Sequence, residues 1–426
     1  RRERLQAGAG QAGAAPDARG MAEERKHARM TTTSQVPAAR PAFVRLETLA
    51  FGALLAFVAA LQISIAAAQM LLAAMLLVWA ASLAARGERV GVPRMFWALA
   101  VYAGLTLVSA IFSGDPLASL ADSKQLVLFA IVPAVYDLAR GRRAELTIQV
   151  LITVGALAAI VGIVQYAILH YDNLGRRPQG TLTHYMTYSG VLMLVLSAAA
   201  ARLIYRADDW VWPALVMPAL LVALGLTFTR SAWVGAFAAL AVLALLRDRR
   251  LLALAPVAAA LFVALAPAGV TSRAYSMFNL SDPTNRDRLA MLRTGVRMVR
   301  DHPLTGVGPD QVKVVYARYR DPLAVEPVNP HLHNVPMQIA AERGLPALAA
   351  WLAFVGILAV DLLRLLRASR HRSVAAAGLA ALVAMLTAGF FEYNFGDSEF
   401  LMLFLVLVTL PYAAARARPT EAEVRP

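Results

Sequence analysis

Apolar residues fall along most of this chain in blocks about the length of one bilayer crossing, parted by short polar breaks rich in arginine. A hydrocarbon core about 30 Å thick takes roughly 20 residues of helix, and inside it every backbone group must find its partner within the element. The blocks therefore predict membrane-spanning helices. The first, Leu46 to Ala85, is twice one span and dips at Gln62, Ser64 and Gln69, which divides it into two helices. Ten more are expected: Met95 to Phe112, a short Gln125 to Leu138, Leu146 to Leu169, Thr187 to Leu203, Val211 to Phe228, Ala232 to Leu246, Leu251 to Ala268, Leu345 to Leu366, Val374 to Phe391 and Phe400 to Tyr412.

The expected organisation is a disordered cytoplasmic tail over 1–42, spans one to nine over 43–268, a large polar loop over 269–336, spans ten to twelve over 337–413, and a second tail over 414–426. Met21 and Met30 stand as alternative native starts. The fold class is all-α and polytopic, with about twelve transmembrane helices. Alternate loops hold the basic clusters Arg86/Arg89/Arg94, Arg140/Arg142/Arg143, Arg202/Arg206, Arg247/Arg249/Arg250 and Arg364/Arg367/Arg370/Arg372, which marks them and both termini as cytoplasmic. The opposite face would be periplasmic.

Composition agrees. Of 426 residues, 59% are hydrophobic and 16% charged, against about 25% charged in soluble domains. A net charge of +14 raises the question of nucleic acid. The arginines punctuate apolar runs instead of clustering on a soluble module, so nucleic-acid binding is not expected. The absence of cysteine excludes disulfides, thiolate metal sites and a cysteine nucleophile.

Arginines on the non-cytoplasmic side work against the topogenic bias and so carry information. They are Arg176 and Arg177, Arg230 in TFTRSAWVG, and a series in the long loop that includes Arg286, Arg288, Arg293 and Arg297. A guanidinium matches phosphate oxygens two at a time, which suits a lipid phosphate ligand. The bland alternative for Arg230 is an interfacial arginine snorkelling beside Trp233. Asn285 to Asp301 has Leu289, Leu292, Val296 and Val299 at helical spacing, and the turn-rich DHPLTGVGPD follows. A surface helix whose arginines meet lipid phosphates is the plainer reading of that stretch.

NPHLHN, Asn329 to Asn334, stands where the chain enters span ten. Histidine titrates near neutrality and can take a proton from a sugar hydroxyl. On their own His331 and His333 are equally compatible with a structural role. A metal site is disfavoured, because zinc usually takes three or four protein ligands and the only nearby carboxylates are Glu326 and Glu342.

Four blocks in order, RPQGTLTHYMTYSG (Arg177 to Gly190), TFTRSAWVG (Thr227 to Gly235), RLAMLRTGVRMVRDHPLTGVGPDQ (Arg288 to Gln311) and NPHLHNVPMQIAAERG (Asn329 to Gly344), make the chain resemble the O-antigen ligase and polymerase superfamily. Members often place tryptophan four residues after the arginine matching Arg288, where this chain has Leu292, so Arg286 and Arg288 both stay open as the match. The resemblance implies a GT-C-like inner-membrane glycosyltransferase, metal-independent and inverting, without a cofactor. Its donor would be O-antigen on undecaprenyl diphosphate and its acceptor lipid A-core. One large loop and an end soon after span twelve favour the ligase over an O-antigen polymerase or a protein O-oligosaccharyltransferase.

In that reading Arg230 and Arg288, with Arg286, Arg177 and Arg176, bind the diphosphate. His333 or His331 is the base, and Asn334 orients the imidazole. Asp282, Asp287 and Asp301 are alternative bases. A lipid-linked oligosaccharide flippase is the competing class. It calls for ionisable groups near the bilayer midplane, and the span middles are almost wholly Ala, Leu, Val, Phe and Gly.

Overall fold

The computed structural model describes residues 41–206 and 209–416, and apart from residues 41–44 at the start of the first helix everything below lies within the unit 45–426. The two expected tails fall almost entirely outside the described residues. The chain is an all-helical, multi-span membrane protein. Seven helices among the described residues are long and apolar enough to cross a bilayer, and three apolar helices of 10–17 residues accompany them. In chain order the helices are α1 Pro41–Ala60, α2 Ile65–Arg86, α3 Met95–Ile111, α4 Pro116–Asp122, α5 Ile131–Leu138, α6 Arg142–Ala167, α7 Tyr185–Tyr205, α8 Val211–Leu226, α9 Arg230–Arg247, α10 Leu254–Leu265, α11 Ala268–Tyr275, α12 Pro283–Asp301, α13 Val312–Tyr319, α14 Val335–Ala368, α15 Arg372–Gly389 and α16 Ser398–Ala414.

The first apolar block does divide at its polar dip. Ser64 caps α2 by accepting from Ala67 N, and buried Gln62 donates to Leu151 O on α6. Two expectations change. Gln125 to Leu138 is the second half of a 23-residue helical stretch, Pro116–Leu138, whose middle tightens to 3₁₀ over Ser123–Ala130. Leu251 to Ala268 keeps only α10 as α-helix, after a 3₁₀ turn at Arg249–Ala253, because Ala266 and Pro267 turn extended.

The packing centre is α7, α15 and α16, buried over most of their lengths. Water supplies no drive between helices in lipid, so close van der Waals contact must. Small residues permit it: a Cβ on Gly235 of α9 would sit 2.4 Å from Met193 Sδ and 2.8 Å from Ala384 O.

One helix break organises the site. Gly344, at φ 80°, interrupts α14, with Pro346 following. The carbonyls this exposes do not go unpaired, which in lipid would cost several kcal/mol each. Val307 N donates to Ala341 O and Gly308 N to Glu342 O, both at 2.9 Å, while Leu345 N donates to Pro303 O at 2.8 Å. Ser109 Oγ adds a bond to Glu342 O. The DHPLTGVG loop is therefore a clamp on the kink. It works only because Gly306, at φ 68°, lies against the Glu342 carbonyl, where a Cβ would come within 2.2 Å.

Helix α12 forms as its spacing predicts but turns its other face inward. Its buried residues are Asp287, Ala290, Met291, Thr294, Gly295 and Met298, whereas Leu289 and Val296 are 52% and 38% exposed. Two residues of offset rotate a helix by about 200°. The small pair Thr294 and Gly295 decides it, because a Cβ at 295 would collide with Met337 of α14 and with Leu332.

Candidate active site

The turn into α9 places Arg230 at its first position, after Phe228 at φ 55°. Arg230 is buried. It donates to Ser276 Oγ at 2.9 Å and to Asp282 Oδ1 at 3.3 Å. Asp282 in turn caps α12, accepting from Thr284 N and Asn285 N. One guanidinium thus ties the start of α9 to the start of α12.

Around that tie lies a cavity of about 320 Å³. Arg177, Arg230, Arg273 and Arg288 line it, with His333 on the same wall. Arg177 stacks on Tyr185 at 4.3 Å and donates only to Leu174 O. Arg288 has neither hydrogen bond nor ion pair among the described residues, and the buried Nε of Arg273 is unpartnered. Burial and the neighbouring charges of Arg230 and Arg177 pull Arg273 down to about 10. Burial also lowers Arg288, partly offset by Glu392. Three guanidinium groups without carboxylate partners around one cavity repel one another, and an anion between them would relieve that.

The four predicted positions Arg177, Arg230, Arg288 and His333 come together here, and two others do not. Arg286 is exposed and off the cavity; Arg176 is exposed and stacks on Tyr171 at 4.2 Å. Helix phase separates Arg286 from Arg288, which are two residues apart. Arg293 and Arg297 turn to Asp321.

His333 sits at φ 49° in the left-handed region. A non-glycine residue stays there only when its surroundings hold it, and such strain gathers at functional positions. The holder of its ring is Glu392, in the turn between α15 and α16, with both carboxylate oxygens 3.0 Å from Nδ1. Burial pushes Glu392 up, but the hydrogen bond and charge of His333 prevail and hold it below the usual carboxylate range. An ionised carboxylate only accepts, so Nδ1 carries the hydrogen, and in the neutral ring the Nε2 lone pair is left free.

Asn334 has other work. Its Oδ1 accepts from Met337 N, capping α14, and its Nδ2 donates to Phe390 O. Orientation of the imidazole comes from Glu392 instead. His331 packs edge-on to His333, with ring centroids 4.2 Å apart, and is pushed down to about 4 by burial and by His333. It stays neutral at physiological pH.

The aspartates are also committed. Asp287 accepts from Val325 N, Glu326 N and Asn329 Nδ2, fastening the 325–329 loop to α12. Asp282 holds Arg230, and Asp301 lies off the cavity.

His331, His333 and Glu392 offer one ligand atom each, all within 4.8 Å of one another, a set able to hold a divalent ion. The sequence reading that only Glu326 and Glu342 were near the histidines is therefore corrected: Glu392, 59 residues from His333, supplies the third atom. Arg273 was missed too. Its signal was one more arginine in a segment where arginine opposes the topogenic bias.

No curated protein matches the chain significantly. Residues 214–352, the stretch that carries Arg230, Arg288, His331 and His333, match the family model described as O-antigen ligase.

Proposed function

We propose that the protein transfers a glycan from a lipid diphosphate to a sugar hydroxyl, and that O-antigen on undecaprenyl diphosphate and lipid A-core are its substrates. The observation that carries this reading is the shared wall: His333 and four arginines border one cavity. Negative charge grows on the diphosphate as the glycosidic bond breaks. Guanidinium groups fixed beforehand stabilise that charge more in the transition state than in the ground state.

Arg288, Arg177 and Arg273 hold the diphosphate, and Arg230 frames them. The free Nε2 of His333 takes the proton from the acceptor hydroxyl. The acceptor oxygen bonds to the anomeric carbon as the bond to the diphosphate oxygen breaks, so configuration inverts. Glu392 holds the ring and steadies the imidazolium, the part an orienting carboxylate plays beside a histidine base.

The cavity faces the periplasm in this proposal, with the twelve-span, GT-C-like arrangement that the resemblance implies. A phosphatase reporter at Asp310 should be active and one at Asp248 inactive; the reverse inverts the topology. The direct test is transfer by purified protein from lipid-linked glycan to lipid A-core. Glycan crossing vesicle membranes without transfer would favour a flippase.

A further inference from the structure

Behind the histidine pair lies a second cavity of about 360 Å³. His331 and Glu392 border it, and Met186 borders both cavities. Its charge is opposite. It holds five carboxylates and no arginine. Of these, Glu342 is paired with Arg343 at 2.5 Å, Asp310 with Lys313 at 2.6 Å, and Glu392 with His333.

Asp122 and Asp397 face it as well, and neither makes an ion pair among the described residues. Asp397 accepts from Thr187 Oγ1 and Phe400 N, and Asp122 has neither hydrogen bond nor ion pair among the described residues. Asn394, 7% exposed, lines the same cavity with its buried Oδ1 unpartnered. The rings of Tyr393 and Phe400 complete the lining. Carboxylate and amide oxygens ask for hydroxyl and amine donors.

We infer that this second cavity is the acceptor-sugar subsite, and that it takes a neutral or amine-bearing sugar while rejecting an acidic one. The inference rests on the transfer reading above and names what occupies its other half. A sugar seated here reaches the boundary where His333 stands, 4.2 Å from His331 by ring centroid. A uronate or phosphorylated sugar would meet Asp122 and Asp397, and the lysine that lines the cavity, Lys313, is already paired with Asp310, so discrimination comes from repulsion as well as fit.

The test uses the full-length protein with lipid-linked glycan donor and lipid-anchored acceptors ending in glucose, glucosamine or glucuronate. The glucuronate acceptor should have a kcat/KM at least about tenfold lower, the effect of one unfavourable charge contact of about 1.4 kcal/mol. Asp397→Asn keeps the helix cap, since asparagine caps as well as aspartate. Asp122→Asn removes no hydrogen bond. Both should narrow that discrimination and raise the acceptor KM with little change in the donor KM. Transfer without charge discrimination, or a rise confined to the donor KM, overturns the subsite and leaves the transfer reading standing. No transfer to any acceptor by the unsubstituted protein overturns both.

Discussion

The two cavities on either side of His331, His333 and Glu392 have similar volumes and share a wall, yet four arginines outnumber Asp287 and Glu326 in one, while five carboxylates face Lys313 in the other. Their supports differ in the same sense. The cationic cavity is framed by helix starts, with Arg230 opening α9 and Asp282 capping α12. The acidic cavity has a helix start of its own, Asp397 capping α16, but adds interruptions: the kink of α14 beside Glu342 and the turn between α15 and α16. A helix start offers fixed positive ends that suit a phosphate. Beside these breaks stand side-chain acceptors, Asn394 Oδ1 among them, which suit hydroxyl groups. The contrast teaches that one reaction centre can divide charge recognition from hydroxyl recognition by the side chains it sets at its helix ends and breaks.

The strongest challenge to this division falls on the histidines. His333→Ala should lower turnover by about 10²- to 10⁴-fold, the usual worth of general-base assistance, while lipid-linked donor still binds. His331→Ala should be milder. If the two are equally severe and a chelator abolishes transfer, the histidines and Glu392 act as metal ligands, and the base assignment goes.

Next in size are the arginines. Arg288→Lys and Arg230→Lys should each lose roughly 10²-fold, the scale seen when one preorganised donor is removed, because ammonium keeps the charge without the two-point fit. Arg286→Lys, off the cavity, is the control. Near-normal kcat/KM in both cavity variants would make the arginines lipid anchors.

Glu392→Gln should cost roughly tenfold to a hundredfold in kcat, since a hydrogen bond to a charged group is worth about 1.5–3 kcal/mol. It carries a pH signature as well. A carboxyl held below its ordinary range stabilises the fold above that range and loses the contribution as pH falls through its lowered value. The stability gap between the unsubstituted protein and Glu392→Gln should therefore be flat from pH 8 to about 5 and close below about 4.3. A gap that widens with acid would mean that the His333 contact does not hold Glu392 ionised.

The smallest effect should be on stability alone. Gly306→Ala puts a Cβ into the Glu342 carbonyl at a positive φ, so it should destabilise by about 1–3 kcal/mol in detergent melting. An unchanged midpoint would mean that the DHPLTGVG loop does not clamp the kink.

Much of this was legible beforehand. The spans at Ile65–Arg86, Met95–Ile111, Tyr185–Tyr205 and Arg372–Gly389 lie within a few residues of their apolar blocks, and Arg230, Arg288, Arg177 and His333 were singled out by arginine on the wrong side of the topogenic rule and by a histidine turn. Glu392 was not. It sits in the short turn between α15 and α16, and nothing near it in sequence points to His333. The role of DHPLTGVG was also hidden, because its partners are carbonyls on another helix.

The sequence by itself determined that the chain is helical and crosses the membrane repeatedly, because an apolar run in lipid must satisfy its own backbone hydrogen bonds, and that is a local condition. It could not decide which face of α12 turns inward, whether Arg286 or Arg288 meets the cavity, or what holds His333. Leu289 and Met291 are both apolar and at helical spacing, so periodicity alone leaves the face open. Only the approach of Met337 and Leu332 to Gly295 settles it. The partner of His333 comes from 59 residues away, and such a contact exists only once α14, α15 and α16 have packed.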